Sequence, residues 1–276
     1  MTSVVALPRD ANPASPRYRA AMLLLLLTAC VDPHETPAPP TLDEFLHQTW
    51  VAYAADDLAT LGSLTALEAP TLDAAEFPMQ GTYTDLTADE AALVALEWDA
   101  DPAAATGFFL VDTLDCSADE LMDALTNPEQ GEVYPGNYTS YQRDFTTDFD
   151  AFIAGDTDIL TWDTTYGVDI VVGAYDTFVH GGAFRLDVDG EVGFATRTWA
   201  PNPATTESPD LALDQDYQIE VYFPNDEGMV HVYGMWRQFQ LDEATTQDNP
   251  DLGNVILSGM KGYFDDTSVY CQGLRG

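Results

Sequence analysis

From Tyr138 onward the chain is written in short runs of β-branched and aromatic residues, with turn residues between them. The runs are Tyr138–Phe145, Ile159–Tyr166, Ile170–Val179, Ala183–Val188, Glu191–Trp199, Tyr217–Phe223, Met229–Leu241 and Val255–Tyr263. Such residues suit a pleated, half-buried surface, so each run reads as a strand. His180-Gly181-Gly182, Asp189-Gly190, Pro201–Pro209, Pro224–Gly228 and Asn249-Pro250 read as the turns. Connections this short demand antiparallel pairing. Phe149, Phe152 and Ile153, ending at Gly155, suggest one helical turn between the first two strands.

The earlier part of the chain carries a different period. Thr41-Leu42-Asp43-Glu44 has the form of a capping box, and Leu42, Phe45, Leu46, Thr49, Trp50 and Tyr53 follow at helical spacing. This predicts a helix from Leu42 to about Leu61, stopped by Gly62. Thr87–Glu90 and Ser117–Glu120 repeat the box before shorter apolar runs. The second of these places Cys116 just outside a helix start. The expected architecture is a single α+β domain over residues 41–276. N-terminal helices, about 41–130, would pack on a curved, mainly antiparallel sheet or partly closed barrel, about 131–276.

Charge narrows the partners. The chain has 9 Lys and Arg against 47 Asp and Glu, a formal net charge of −38. Such a surface repels phosphate backbones, which excludes nucleic-acid binding. Its 46% hydrophobic content argues for a packed fold rather than disorder. The acidity fits solubility in a salty medium; it would also suit weak Ca²⁺ binding or a cationic partner. Cys116 and Cys271 form an even pair once Cys30 is set aside, and a disulfide between them is expected in an oxidising compartment.

No complete catalytic or metal motif stands out. Ser258-Gly259-Met260-Lys261 matches the S-x-x-K of penicillin-binding proteins, but the Ser-Asp-Asn and Lys-Thr-Gly partners are missing. Asp187–Glu191 fails as an EF-hand loop, because Arg185 and Thr196 fall at ligand positions. Acidic residues are too numerous for spacing to single out a glycosidase pair.

Arginine is scarce, and its placement carries more information. Tyr141 and Arg143 alternate in phase along one strand, Arg197 and Trp199 along another, and Tyr233 and Arg237 along a third. If all six share the inner face of the sheet, they line an aromatic pocket whose guanidinium groups meet a small anionic or amphipathic ligand. The other reading is that each Arg pairs with a neighbouring carboxylate.

The N-terminus says where such a chain would work. Arg17 and Arg19 precede the apolar run Ala20–Leu27, which ends in Leu27-Thr28-Ala29-Cys30. This layout is that of a secretory signal, and the tetrad resembles a bacterial lipobox, in which a signal peptidase cuts before a cysteine that carries lipid. The resemblance implies a signal peptide over 1–29, a lipidated Cys30, and a Pro-rich tether over 30–40. Removal of residues 1–29 takes away Arg9, Arg17, Arg19 and Asp10, leaving 6 basic and 46 acidic side chains. Val31 after the cysteine leans toward the outer membrane. The expected protein is thus a lipid-anchored envelope protein with a binding or interaction role and no cofactor. The alternative is an envelope hydrolase acting on glycan or cell-wall polymer through carboxylates the sequence does not single out.

Overall fold

The structure is a computed structural model that describes residues 40–170, 173–208, 211–242, 245–246 and 250–276. The expected signal, Cys30 and all of the expected tether but Pro40 lie outside the described residues. Two helices open the described chain, α1 (Pro40–Ala54) and α2 (Leu58–Asp73). The single long helix expected here is broken at Asp56, whose φ is 52°, and Asp57 then caps α2 through the Thr60 amide. Pro40 already lies within α1, so the Thr41 box sits inside the helix rather than at its start. The boxes at Thr87 and Ser117 do cap helices, α3 (Ala88–Ala91) and α4 (Ala118–Thr126). A short turn, α5 (Gln130–Val133), comes next.

Two strands lie within the span read as helical, β1 (Met79–Tyr83) and β2 (Thr106–Leu114). β2 shows no alternation because both of its faces are covered. Phe109 and Val111 join the core under α1, while Phe108, Leu110 and Leu114 join the core on the other side. The later strands are β3 (Ser140–Phe145), β4 (Ile159–Ile170), β5 (Gly173–Val188), β6 (Glu191–Trp199), β7 (Thr205–Thr206), β8 (Ala212–Asn225), β9 (Gly228–Asp242) and β10 (Thr245–Thr246). The expected helical turn between β3 and β4 is α6 (Phe149–Ala154), closed by Gly155 in the left-handed conformation.

Two sequence expectations are corrected. His180-Gly181-Gly182 is not a turn but the middle of β5, which runs straight through both expected strands. Val255–Tyr263 is not a strand but part of α7 (Pro250–Leu274). Its buried residues Leu252, Ile256, Met260, Phe264, Thr267 and Cys271 form a helical stripe, and their burial overrides the β propensity of Val255, Ile256 and Tyr263.

All strand pairs are antiparallel, and the principal order is β1-β2-β9-β8-β6-β5-β4-β3. β7 adds to β5 and β10 to β9. β1 and β3 stay at opposite ends, so the sheet is open. The Asp189-Gly190 hairpin forms as expected, both residues at positive φ. Helices α1 and α2 cover one face, where Leu46, Trp50, Leu61, Ile219, Val221, Val232 and Trp236 are fully buried. Helix α7 lies across β2 and β9 on the other face.

The Cys116–Cys271 disulfide, with Cα atoms 5.3 Å apart, fastens the end of α7 to the start of α4. Arg275 adds ion pairs to Asp115 and Glu120, each at 2.7 Å, and its hydrogen bonds hold the Glu120 carboxyl down at about 2.

One irregularity, in β8, decides which of its side chains meet which helix. Leu213 pairs with Phe239 and Gln215 with Gln238, so Asp214 is an extra residue in the strand. Before this bulge odd-numbered residues face α7, as Leu213 does. After it the even-numbered ones do, and Tyr217, Ile219 and Val221 turn to α1.

Candidate functional site

Helix α7 packs over β2 and β9 and leaves the rest of that face uncovered by its stripe. Beside it opens a cavity of about 500 Å³. Its floor is the inner face of β3–β6, β8 and β9. Its walls are one flank of α7 and the segment Tyr134–Tyr138. Gly259 and Gly262 keep the α7 flank thin there.

Tyrosines dominate the rim. Tyr138 meets Tyr141 at 4.9 Å and Tyr166 at 5.5 Å between ring centroids, and Tyr134 meets Tyr263 edge-on at 4.8 Å. Burial pushes the phenols of Tyr138, Tyr166 and Tyr263 up, so they stay neutral donors.

Strand alternation puts a polar ladder on the floor. Arg237 donates to Asp216 from Nη2 at 2.8 Å and from Nε at 3.2 Å, a two-pronged pair between facing residues of β9 and β8. Asp216 also accepts from Gln218, which in turn accepts from the Tyr233 hydroxyl at 2.8 Å. Further along, the Glu220 carboxylate accepts from Thr196 (3.0 Å), Tyr222 (2.7 Å) and His231 Nε2 (2.8 Å). Burial alone would raise the Glu220 pKa, but these hydrogen bonds, that from His231 foremost, outweigh it and hold the carboxyl below its usual range. Burial likewise lowers His231, against the pull of Glu220, and keeps it neutral. With Nε2 donating to Glu220, Nδ1 is left as a bare acceptor, and it has no partner among the described residues.

Arg143 is the other cation of the cavity. It donates from Nη1 to the Leu125 carbonyl at 2.7 Å, and its guanidinium lies 4.3 Å from the Trp162 ring centroid and 5.6 Å from that of Tyr141. Its Nε has no partner, and no carboxylate is paired with it among the described residues.

The six residues singled out in the sequence therefore divide. Tyr141, Arg143, Tyr233 and Arg237 line the cavity. Arg197 and Trp199 do not: they face α1, on the opposite side of the sheet. The physical reason is register. Arg197 pairs with Ile219, whose side chain belongs to the core under α1. Alternation within a strand is legible in sequence, whereas the offset between strands is not.

Sequence reading missed Asp216, Glu220 and His231. His231 continues the Tyr233, Met235, Arg237, Phe239 stripe by one step. The two carboxylates are hidden among many others. Ser258 lies within α7, not at a helix start, and Lys261 pairs with Asp265 at 3.2 Å. Among the described residues no group of three or more His, Cys, Asp or Glu side chains is placed to hold a metal ion.

No family model matches the chain, and no curated protein does. Solved structures with a partial likeness include human StAR-related lipid transfer protein 5, at 7% identity and a TM-score of 0.43, over 80% of this chain and 99% of that one. A STAR-related lipid transfer protein fragment from Xanthomonas axonopodis is 12% identical with a TM-score of 0.38, over 64% and 90% of the two chains. Ara h 8.0201 is 10% identical with a TM-score of 0.36, over 61% and 99%. Likenesses this distant carry no functional argument.

Proposed function

We propose that this protein is a binding module that encloses one amphipathic small molecule. The cavity between sheet and α7 carries the reading. At about 500 Å³ it falls in the range of small-molecule sites, and it joins an aromatic rim to a few fixed polar groups. The ligand's apolar body lies among Tyr138, Tyr141, Tyr166 and Tyr263. Its polar head meets Arg143, the cation that no carboxylate neutralises among the described residues. Arg237 is a poorer partner, because Asp216 already occupies its fork. An anionic head is therefore preferred over a neutral one.

The hydrolase alternative needs a carboxyl that keeps a proton near neutrality. Glu220 is shifted the opposite way, and Asp216 is tied to Arg237. Both carboxylates act as acceptors that orient the floor.

The lipobox-like Leu27–Cys30 supports a protein tethered by lipid at the bacterial cell envelope. Cys30→Ser should abolish lipid labelling and release the protein from the membrane fraction; unchanged fractionation with intact labelling sinks this part.

The binding claim is tested by titrating the purified protein with palmitate and with hexadecanol and following uptake by native mass spectrometry. Palmitate should bind more tightly, and Arg143→Met should remove most of that preference, about tenfold. Thr164→Trp, which builds a large ring into the cavity from its floor, should block both ligands in a protein that still melts cooperatively. Undiminished uptake by a folded Thr164→Trp protein rules the cavity out as the site.

A further inference from the structure

The residue that strand register turns away from the cavity has no anion of its own. Arg197 is 8% exposed, and its guanidinium sits among three rings, 5.0 Å from the Trp50 centroid, 4.9 Å from Tyr53 and 5.0 Å from Trp199. Among the described residues it makes no ion pair, and its Nε and Nη1 have no hydrogen-bond partner. Two more polar groups beside it are also buried without a partner, the Tyr53 hydroxyl and Trp199 Nε1. Three N–H donors and one hydroxyl thus border one space without a side-chain partner, where buried polar groups are normally satisfied.

These groups border a second cavity, of about 150 Å³, on the α1 side of the sheet. Its floor is His180-Gly181-Gly182, a stretch of β5 with little side chain. A Cβ on Gly182 would come within 2.7 Å of the Tyr53 hydroxyl, so glycine is what leaves room there. Two carboxylates also border it. Asp163 is held by His180 Nδ1 at 2.7 Å, and Asp56 is exposed at the end of α1.

We propose that Arg197 is the base of a second binding site, which takes a small oxyanion, a carboxylate or phosphate group. The rings offset part of the cationic charge but accept none of its in-plane N–H groups. A single water would accept from two of these donors at most and would leave the charge uncompensated, and the space is several times the share of one water, which is about 30 Å³. An oxyanion supplies both the missing charge and several acceptors at once. Asp56 weakens the site through its field, so the affinity falls in the millimolar range. The site lies across the sheet from Arg143 and stands apart from the reading of the larger cavity.

The test is the melting temperature in sodium phosphate and in sodium acetate, each against sodium chloride at matched ionic strength. A ligand bound to the folded state alone raises it by mass action. Wild type should gain in at least one of the two oxyanions; acetate alone identifies a carboxylate site, and phosphate alone a phosphate site. Arg197→Met should lose the gain. Trp199→Phe keeps a ring and removes one donor; it should fold and bind the active anion about tenfold more weakly by calorimetry. It also carries the test should Arg197→Met fail to fold. The proposal is overturned if neither oxyanion exceeds chloride. It is equally overturned if a folded Arg197→Met, or Trp199→Phe, responds as wild type does.

Discussion

The two faces of this sheet are made by alternate residues of the same strands, yet over β8 and β9 one face is solid and the other holds the larger cavity. Facing α1, β8 and β9 present Ile219, Val221, Val230, Val232 and Trp236, which interlock with Leu46 and Trp50. Facing α7, the same strands present Gln218, Glu220, His231 and Arg237. An apolar helix laid flat on that second set would strand its donors and acceptors, at a cost of about 1–3 kcal/mol for each unsatisfied group. Helix α7 instead seats its apolar stripe on β2 and β9, and the polar ladder is left under open space. The cavity is thus a consequence of composition along one strand face, not of a missing element.

The sharpest way to break this comparison is truncation on the solid face. Trp236→Ala should cost about 3–5 kcal/mol in urea unfolding, because the surrounding core cannot collapse into the gap. Tyr141→Ala, whose ring already borders open space, should cost about 1 kcal/mol. Equal losses would mean that the cavity closes in solution.

A second test separates pairing from packing. Asp216→Asn leaves the Arg237 charge buried without its partner and should destabilise by about 3 kcal/mol. The double variant Asp216→Leu, Arg237→Met should recover much of this loss, since neither charge is then buried. Additive losses in the double variant would show that the pair matters only for shape.

The smallest effect is a pH dependence confined to the cavity face. His231 is held neutral by the fold, below the ordinary value of 6.5, so the unfolded chain takes up a proton first. Its contribution is present in full above about pH 6.5 and is lost as pH falls through its folded value. Glu220, also depressed, adds a further loss below about pH 4.5. His231→Gln should flatten the thermal-stability profile just below about pH 6.5. An unchanged slope in that variant would place the titration elsewhere.

Legibility followed the physics of each element. β6 is read correctly to the residue because an Asp-Gly turn marks its start and Pro201 follows its end, although Gly193–Arg197 is buried throughout. β2 escapes because Phe108–Val111 is buried on both sides and carries no alternation. α7 escapes because Val255, Ile256 and Tyr263 favour strands locally, although Leu252, Ile256, Met260 and Phe264 already recur every four residues. For the site, the in-phase Tyr and Arg pairs are visible in each strand, and two of the three point into the cavity. The third is lost to register, and Asp216 and Glu220 are hidden by the abundance of acid. The disulfide between Cys116 and Cys271 follows from counting and is present.

The extra residue in β8 has a consequence for how such a chain can change. Asp214 is skipped by the ladder, since Leu213 and Gln215 on either side of it face consecutive residues of β9. Removing it would leave Leu213 beside Phe239 and Gln215 beside Gln238 in a regular ladder, so Asp216, Gln218 and Glu220 would keep facing α7 and Tyr217, Ile219 and Val221 would keep facing α1. Deletion of Asp214 is therefore compatible with the pairing, whereas a single-residue deletion or insertion after Gln215 shifts the later side chains to the opposite face. The strand reads like a message with one silent letter: at that position its length can change by one and the meaning of every later letter is kept.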